Sequence, residues 1–454
     1  MYQEFLSFPA DFAWGTATAA YQIEGGAREG GKGPSIWDAF SHTKGKIEDG
    51  KDGDIAVDHY HRYPEDIALM KSLGLRNYRL SLAWTRILPE GRGRIEDRGL
   101  DFYDRLVDGL LEAGITPWVT LYHWDLPQAL QETGGWTNRK TVDAFGEYAD
   151  IATRRLGDRV QNWMTFNEPW VASVCGNLYG VHAPGLKDVR TTLAVAHGIL
   201  LGHGRAVPIV RANVPGGKVG IVNNLAHIEP ATGSEADSAA ARRWDGAFNR
   251  WYMDPVFKGS YPADMLEWYG DLAPKVLPGD MESISAPTDF FGLNYYTRRL
   301  VTHDDGEVLI KAKQVYRPYG WRAEFEEFED WPEALYLVLR RLRDEYGNPV
   351  VYISENGTTT VDSIGDDGCV HDPVRVDYLR RHFAAAWQAR KEGAKVEGYF
   401  TWSLLDNFEW GFGFSKRFGI VYVDYDDDLR RVPKDSAHFM ADVIRKKGFM
   451  VRSR

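Results

Sequence analysis

Trp163-Met164-Thr165-Phe166-Asn167-Glu168-Pro169 is a short run of apolar, aromatic and β-branched residues that stops at a proline. Such a run reads as a strand, and Pro169 cannot continue it because it lacks the N–H a ladder needs. Val350-Val351-Tyr352-Ile353-Ser354-Glu355-Asn356-Gly357 is built the same way and stops at Asn356-Gly357. Each run ends on a glutamate. Both carboxylates are therefore expected to leave their strand at its end, where loops form a cleft.

Working outward, runs of the same kind recur along the chain. They cover Phe12 to Ala17, Asn77 to Ala83, Thr116 to Tyr122, Asn162 to Asn167, Val219 to Asn223, Phe290 to Tyr295, Val350 to Ser354 and Gly398 to Ser403. Between them lie stretches with apolar residues at helical spacing. One opens at Pro64-Glu65-Asp66 and closes at Gly74. Another runs from Gly99 to Glu112, with Leu100, Tyr103, Leu106, Val107 and Leu110 on one face. Others run from Arg139 to Arg155, Thr191 to Arg211, Glu333 to Tyr346, Pro373 to Arg390 and Lys434 to Lys447. No linker or composition break interrupts the alternation, so residues 1–454 read as one domain. The economical α/β account is a single (β/α)8 (TIM) barrel with long βα-loop insertions at Ile23 to Tyr63, Ala226 to Asp289 and Val301 to Asp330. A doubly wound open sheet is the alternative. It favours a glycine-rich phosphate turn after the first strand, and Gly15-Thr16-Ala17-Thr18-Ala19-Ala20 lacks that spacing. The acidic stretch Glu324 to Asp330 reads as a solvated loop.

A net charge of −11 argues against nucleic acid and anionic membranes as partners. Cys175 and Cys369 are too few and too distant for a disulfide framework or a cysteine-rich zinc site, and reduced thiols are expected. Met1-Tyr2-Gln3-Glu4-Phe5-Leu6 shows no secretory signal pattern. No window approaches roughly 18 uninterrupted apolar residues, so no membrane span is expected. A cytoplasmic protein is the expectation, with a homo-oligomer allowed. Most of the sixteen Trp are read as core, and a minority as platforms for a ligand.

In a barrel, functional groups sit at the C-terminal ends of the strands. Gln22 and Glu24 follow the first strand and Arg79 lies in the second. His123-Trp124-Asp125 ends the third and Asn167-Glu168 the fourth. Asn294 and Tyr296 end the sixth and Glu355 the seventh. Trp402 ends the eighth, with Glu409-Trp410 just beyond. Two carboxylates far apart in sequence at one barrel end are what glycosidic-bond hydrolysis requires: one protonated to assist the leaving oxygen, one ionised. Arg79 and the Tyr296 hydroxyl are candidates to stabilise an ionised Glu355, which suits a nucleophile. Glu168 has no basic sequence neighbour, which suits the acid, and Asn167 is placed to hold a sugar 2-hydroxyl. Singly, each has a plainer reading. Asn-Glu-Pro is also a helix start, Glu-Asn-Gly a turn, His123-Trp124 a packing pair and Arg79 an ordinary buried ion-pair member. Asp58-His59-Tyr60-His61 resembles a two-histidine metal site without a third ligand. The joint occurrence at strand ends favours the functional reading.

These residues belong to a longer ordered set. It comprises Phe12-x-Trp14-Gly15-x-Ala17-Thr18, Gln22-x-Glu24-Gly25, Gly33-Pro34-Ser35-Ile36-Trp37-Asp38, Tyr78-Arg79-Leu80-Ser81, Tyr122-His123-Trp124-Asp125-Leu126-Pro127, Thr165-Phe166-Asn167-Glu168-Pro169, Asn294-Tyr295-Tyr296, Ser354-Glu355-Asn356-Gly357 and Trp402-Ser403-Leu404-Leu405-Asp406-Asn407-Phe408-Glu409-Trp410. Over essentially its whole length the chain resembles the β-glucosidases of glycoside hydrolase family 1. The resemblance implies a (β/α)8 barrel, a small-molecule β-glycoside substrate and retaining hydrolysis with no cofactor or metal. It implies Glu168 as acid/base and Glu355 as nucleophile, their carboxyls about 5–5.5 Å apart. It implies Gln22, His123, Asn167, Glu409 and Trp410 as hydrogen-bonding partners of the non-reducing sugar, with Trp402 beneath its ring, Trp124 close by and Phe418 closing the pocket. Ser354 stands where the family usually has Thr, and Thr358-Thr359-Thr360 replaces small apolar residues. Trp321 and Trp331 are alternatives for an aglycone platform. Glu409 disfavours phosphorylated sugars. Glucose against galactose or fucose is left open by these residues, and a non-catalytic sugar-binding protein is a rival on the same scaffold.

Overall fold

The strands β1 (Ala13–Ala17), β2 (Asn77–Ser81), β3 (Thr116–Tyr122), β4 (Asn162–Asn167), β5 (Lys218–Asn224), β6 (Phe290–Asn294), β7 (Val351–Asn356) and β8 (Val396–Trp402) form one closed parallel barrel in sequence order, β6 pairing with β7 and β8 with β1. The computed structural model describes residues 3–316 and 328–452. Every residue of β4 and of β7 is buried, as expected of parallel strands covered on the outside by helices and filled on the inside by side chains. The filling is aromatic. Trp118 of β3 meets Tyr352 of β7 at 4.5 Å and Phe400 of β8 at 5.3 Å, and Phe290 of β6 lies 5.4 Å from Tyr352. Rings from strands that are not neighbours meet only in the barrel interior, so this cluster is its packed core.

The outer layer comprises α1 (His59–Ser72), α2 (Asp97–Glu112), α3 (Arg139–Leu156), α4 (Val189–Asn213), α5 (Glu235–Asp245), α6 (Trp251–Lys258), α7 (Pro332–Glu345), α8 (Pro373–Lys391) and α9 (Asp435–Lys446). α2 buries Leu100, Tyr103, Leu106, Val107 and Leu110, the stripe its sequence spacing predicts. Asn138 caps α3 by accepting from the Lys140 N–H, and Arg154 and Arg155 lie in its last turn, where cations suit the helix dipole. α4 is long and apolar enough to cross a membrane by length and composition. However, 78 % of its apolar window is buried inside the protein, and it carries Pro208, so it is an interior helix of the barrel wall.

The structure corrects four readings. α1 begins at His59, not at Pro64, which lies inside it. Its first turn is held by the Asp58 carbonyl, which accepts from the His61 and Arg62 N–H groups, and by the buried His59–Asp66 pair. β7 runs from Val351 to Asn356 rather than from Val350 to Ser354, so Glu355 lies within the strand near its end. The stretch from Ala226 to Asp289 is not a plain insertion: α5 and α6 within it supply the helical layer after β5. In the acidic stretch, Glu329 is buried against Arg298 (2.6 Å) and Asp330 pairs with Arg381, so these two are ion-paired rather than solvated; residues 324–327 and Trp321 lie outside the described residues.

One close approach positions the chain leaving β7 above the barrel. A β-carbon on Gly357 would lie 1.8 Å from the Trp402 carbonyl oxygen, so the glycine lets the chain after β7 press against the end of β8. Outside the barrel, Gln3–Ser7 pairs antiparallel with Gly448–Arg452, which brings the two ends of the chain together.

Candidate active site

Arg79 is the hub. It is fully buried, and its guanidinium donates from Nε to Thr120 Oγ1 (3.2 Å), from Nη1 to the Ser354 carbonyl (3.2 Å) and to Glu355 Oε1 (2.5 Å), and from Nη2 to Asn167 Oδ1 (2.7 Å). Three other strands, β3, β4 and β7, therefore converge on one side chain of β2. The other oxygen of Glu355, Oε2, accepts from the Tyr296 hydroxyl at 2.7 Å. Burial, then the Glu355 charge, push the Tyr296 phenol far up, so it stays a donor. Glu355 is thus an ion-paired acceptor on both oxygens.

Glu168 has a different environment. Asn294 Nδ2 donates to its Oε1 at 2.6 Å, and Ser354 Oγ donates to Asn294 Oδ1 at 2.7 Å, which fixes that amide's orientation. Among the described residues, no cation forms an ion pair with Glu168. Burial first, and the negative charge of Glu355 second, hold its carboxyl well above the usual range, against the lowering by the Asn294 bond and by Arg79. Glu168 sits in the left-handed region at φ 45°, as do Trp124 (φ 77°) and Trp410 (φ 50°). Such conformations cost energy in non-glycine residues and persist where the surroundings over-determine them. Here the Glu168 N–H donates to the Val222 carbonyl (2.9 Å), and the Trp124 indole donates to the Asn167 carbonyl (2.9 Å).

A second group of polar side chains lies on the β1, β3 and β8 side. Gln22 Nε2 donates to Asn407 Oδ1 (3.0 Å), the Phe408 carbonyl (2.9 Å) and Glu409 Oε2 (3.3 Å). Its Oε1 is buried with no protein partner. His123 Nε2 faces the Asn167 amide nitrogen at 3.0 Å, so it accepts there and the ring proton belongs on Nδ1, which is also buried without a partner. Burial, then Arg79, hold His123 neutral by lowering its pKa well below the usual value. Burial, then Glu355, push Glu409 up to about 8, opposed by hydrogen bonds from Gln22 and Trp402. Buried polar atoms are ordinarily paired, so the unpartnered acceptor on Gln22 and donor on His123 are groups that a hydroxylated ligand could satisfy. The walls are aromatic. Trp402 and Trp410 stack on His123 at 5.9 Å, with interplanar angles of 22° and 18°, and Trp124 lies 4.6 Å from Trp410. Phe418 meets Tyr296 edge-on at 6.0 Å.

Gln22, Arg79, His123, Trp124, Asn167, Glu168, Asn294, Tyr296, Glu355, Trp402, Glu409, Trp410 and Phe418 are joined in one contact network at the C-terminal end of the barrel, whereas Glu24 is turned away from it, accepting from Arg86 Nε (2.6 Å) and the Tyr103 hydroxyl (2.8 Å). Asn167 is more engaged than its sequence position suggests: Oδ1 already accepts from Arg79 and Asn294, leaving one Nδ2 hydrogen for a ligand. Thr120 was not singled out from the sequence, Ser354 and Asn407 were quoted there without a role in the site, and Trp170, half-buried two residues after Glu168 with its ring 4.6 Å from Phe248, was not named. Ser354 keeps the hydroxyl that a Thr would offer Asn294. Trp331 lies beneath the Arg298 guanidinium at 3.7 Å. His59 and His61 do not share a ligand site: His59 is buried against Asp66, whereas His61 is exposed between Asp58 and Glu29. Among the described residues, the grouping with metal-ligand spacing is His42, Asp52 and Asp54, none of them in this network.

A parallel barrel with two inequivalent carboxylates and an aromatic, hydroxyl-matching pocket at its C-terminal mouth defines a carbohydrate-active hydrolase. Residues 5–449 match the model of glycosyl hydrolase family 1, and the chain belongs to that family and is a glycoside hydrolase. It is 47 % identical over 448 residues to a β-glucosidase A of Thermotoga maritima, covering 97 % of this chain and 98 % of the relative. Two solved structures of a Thermotoga maritima β-glucosidase superpose at 47 % identity over 98 % of this chain and 100 % of theirs, one in complex with deoxynojirimycin (TM-score 0.95) and one with galacto-hydroximolactam (TM-score 0.93).

Proposed function

We propose that this protein is a retaining, exo-acting β-glucosidase that releases terminal non-reducing β-D-glucosyl residues from cello-oligosaccharides and from aryl or alkyl β-glucosides. The observation that carries it is the asymmetry of the two carboxylates. Glu355, gripped by Arg79 and Tyr296, is presented ionised as the nucleophile. Glu168, kept protonated by burial and by the Glu355 charge, is the general acid. In the first step Glu168 gives its proton to the leaving oxygen while Glu355 Oε attacks the anomeric carbon, forming a glycosyl-enzyme. In the second, Glu168, now ionised, takes a proton from water, whose oxygen attacks the same carbon and returns Glu355 to its free form. Arg79, Asn167, Asn294 and Tyr296 hold the two carboxyls apart in charge. Gln22, His123, Asn167, Glu409 and Trp410 bind the sugar hydroxyls, with Trp402, Trp124 and Phe418 as walls. The bonds Glu168–Asn294–Asn167–Arg79–Glu355 join the two carboxyls in one side-chain network.

The test is a panel of 4-nitrophenyl β-glycosides with ¹H NMR of the first sugar released. The expected result is highest kcat/KM on the glucoside and a β-anomer appearing before mutarotation; a first-formed α-anomer rejects the retaining mechanism. A β-galactosidase or β-fucosidase is the second reading. It draws on Gln22 Oε1 and Glu409, which suit either C4 orientation, and on the galacto-configured molecule held by the related enzyme. The Glu409 carboxyl, half-buried and raised to about 8, brings no cation to a sugar 6-position, so phosphorylated sugars fit poorly. We read residues 1–454 as one catalytic domain, able to form a homo-oligomer. Cytoplasmic placement fits the exposed free thiol of Cys369.

The acid role makes a pH prediction. Activity needs Glu168 protonated, so kcat/KM is lost as pH rises through its raised folded pKa. The Asn294 N–H lowers that pKa. In Asn294→Ala the bond is gone, the pKa rises further, and the alkaline limb of kcat/KM moves to higher pH. A limb that stays put or moves down rejects Glu168 as the titrating acid.

A further inference from the structure

The loops that carry Glu409 and Phe418 have little regular structure, so something other than a barrel strand must hold them. Beneath them lies a buried ion cluster: Asp362, Asp372 and Asp406 against Arg375, Arg417 and Lys434, whose formal charges cancel. Lys434 Nζ, fully buried at the start of α9, donates to Asp406 Oδ1 (2.8 Å) and Asp362 Oδ2 (2.6 Å). Asp406 also accepts from Arg417 Nη1 (2.7 Å) and from the Gly419 N–H (2.9 Å), the residues on either side of Phe418. Arg375 donates to the Arg417 carbonyl (2.8 Å) and to the Thr358 carbonyl (3.2 Å), three residues beyond Glu355. The cluster therefore ties the segment leaving β7 to both segments that follow β8. A buried ion cluster is not needed for stability as such, since apolar residues of similar volume serve equally well. What salt bridges add here is fixed geometry.

We propose that Asp406, Lys434 and Arg417 are positioning residues that set Glu409 and Phe418 against Glu355 and so determine how strictly the sugar's C4 and C6 hydroxyls are selected. This rests on the reading of Glu409 as a sugar contact. The test is the charge-neutral double variant Asp406→Asn/Lys434→Met. It leaves Asp362 and Asp372 with Arg375, and leaves Arg417 over the Tyr422 and Tyr425 rings at 4.1 and 4.4 Å. Arg417→Gln, at a less buried position, is the second variant should the first fail to fold. Each folded variant is assayed on 4-nitrophenyl β-D-glucoside and on its 6-deoxy analogue. The kcat/KM ratio of the two substrates is expected to fall about tenfold, carried by KM, because a displacement of order 1 Å suffices to lose such a contact. An equal loss on both substrates, or none, overturns the proposal. A crystal structure of the variant reads the placement directly: Glu409 and Phe418 shifted relative to Glu355 supports it, and unshifted side chains overturn it. Glu409→Gln, assayed alongside, separates the two claims. If that variant keeps the wild-type ratio, the sugar contact assigned to Glu409 fails, and the crystal structure alone decides the positioning.

Discussion

Replacing Glu355 by Gln is expected to leave a folded protein whose kcat on 4-nitrophenyl β-D-glucoside is lower by about 100,000-fold, the scale of losing a covalent nucleophile. The substitution is nearly isosteric. The amide oxygen can still accept from Arg79, and the amide nitrogen can donate to the Tyr296 hydroxyl oxygen, which rotates to accept; both bonds in the native protein are short, at 2.5 and 2.7 Å. The loss is of charge and nucleophilicity rather than shape. The fully buried Arg79 would otherwise be left without a counter-charge, a costly arrangement. Glu168 relieves it. With the Glu355 charge gone, one cause of the raised Glu168 pKa disappears, and Glu168 ionises more readily beside the same hydrogen-bond network. The variant therefore loses both the nucleophile and part of its acid. Mass spectrometry after labelling with a 2-deoxy-2-fluoro glucoside checks the assignment: the intact wild-type protein gains one glycosyl mass, which a digest places on the peptide containing Glu355, and the variant gains none. A variant within about tenfold of wild type would remove Glu355 from the mechanism.

The barrel was legible because each strand is a short apolar run bounded by residues that cannot extend it, and most of the wall helices show a stripe. Where legibility failed, a tertiary partner outweighed a local signal. Pro64 looks like a helix start, yet the Asp58 carbonyl and the His59–Asp66 pair build a turn in front of it. α5 has an alanine-rich face with few large apolar residues, so periodicity missed it; Ser234, capping the Asp237 N–H, and the arginines Arg242 and Arg243 in its last turn were the available signs. Glu355 was read at the end of its strand, but Asn356-Gly357 was read as the stop, and the strand runs on through Asn356. Asn356 is instead a buried side chain that donates to the Tyr295 carbonyl and the Tyr378 hydroxyl, and Gly357 is there for closeness to Trp402.

The site shows the same division. Large or charged residues at or near strand ends announce themselves, and Gln22, Arg79, His123, Asn167, Asn294, Tyr296 and Glu409 were singled out as candidates that way. Their supports were not. Thr120 and Ser354 are small hydroxyls inside strands, and Asp406 and Lys434 are ordinary charged residues of loops and helix ends. Nothing in spacing reveals that Lys434 reaches Asp362, 72 positions away, in a fully buried cluster. The orphan atoms of Gln22 and His123 became visible only when every other bond was in place.

Glu168→Ala is expected to separate the two chemical steps by leaving group. The substitution disturbs little: Asn294 Nδ2 loses one acceptor but still donates to Asn167 Oδ1 at 3.0 Å. An alkyl β-glucoside departs as an alkoxide unless protonated, so its kcat/KM should fall about 1,000- to 10,000-fold without the acid. A 2,4-dinitrophenolate leaves without a proton, so attack by Glu355 on that substrate proceeds and the first step should slow by less than about tenfold. The second step then lacks its base, and glycosyl-enzyme accumulates: a burst of dinitrophenolate equal to the enzyme concentration, followed by slow turnover. Azide should restore turnover, because removing the side chain opens space beside Asn294 and removes the carboxylate that would repel an anion there. Azide needs no base, attacks the anomeric carbon and displaces Glu355, giving a β-glucosyl azide that NMR identifies. An equal loss for both leaving groups, with no azide product, would mean that Glu168 supports the fold of the site and moves no proton. The α-azide would mean that the anion reached the sugar without passing through a Glu355 adduct.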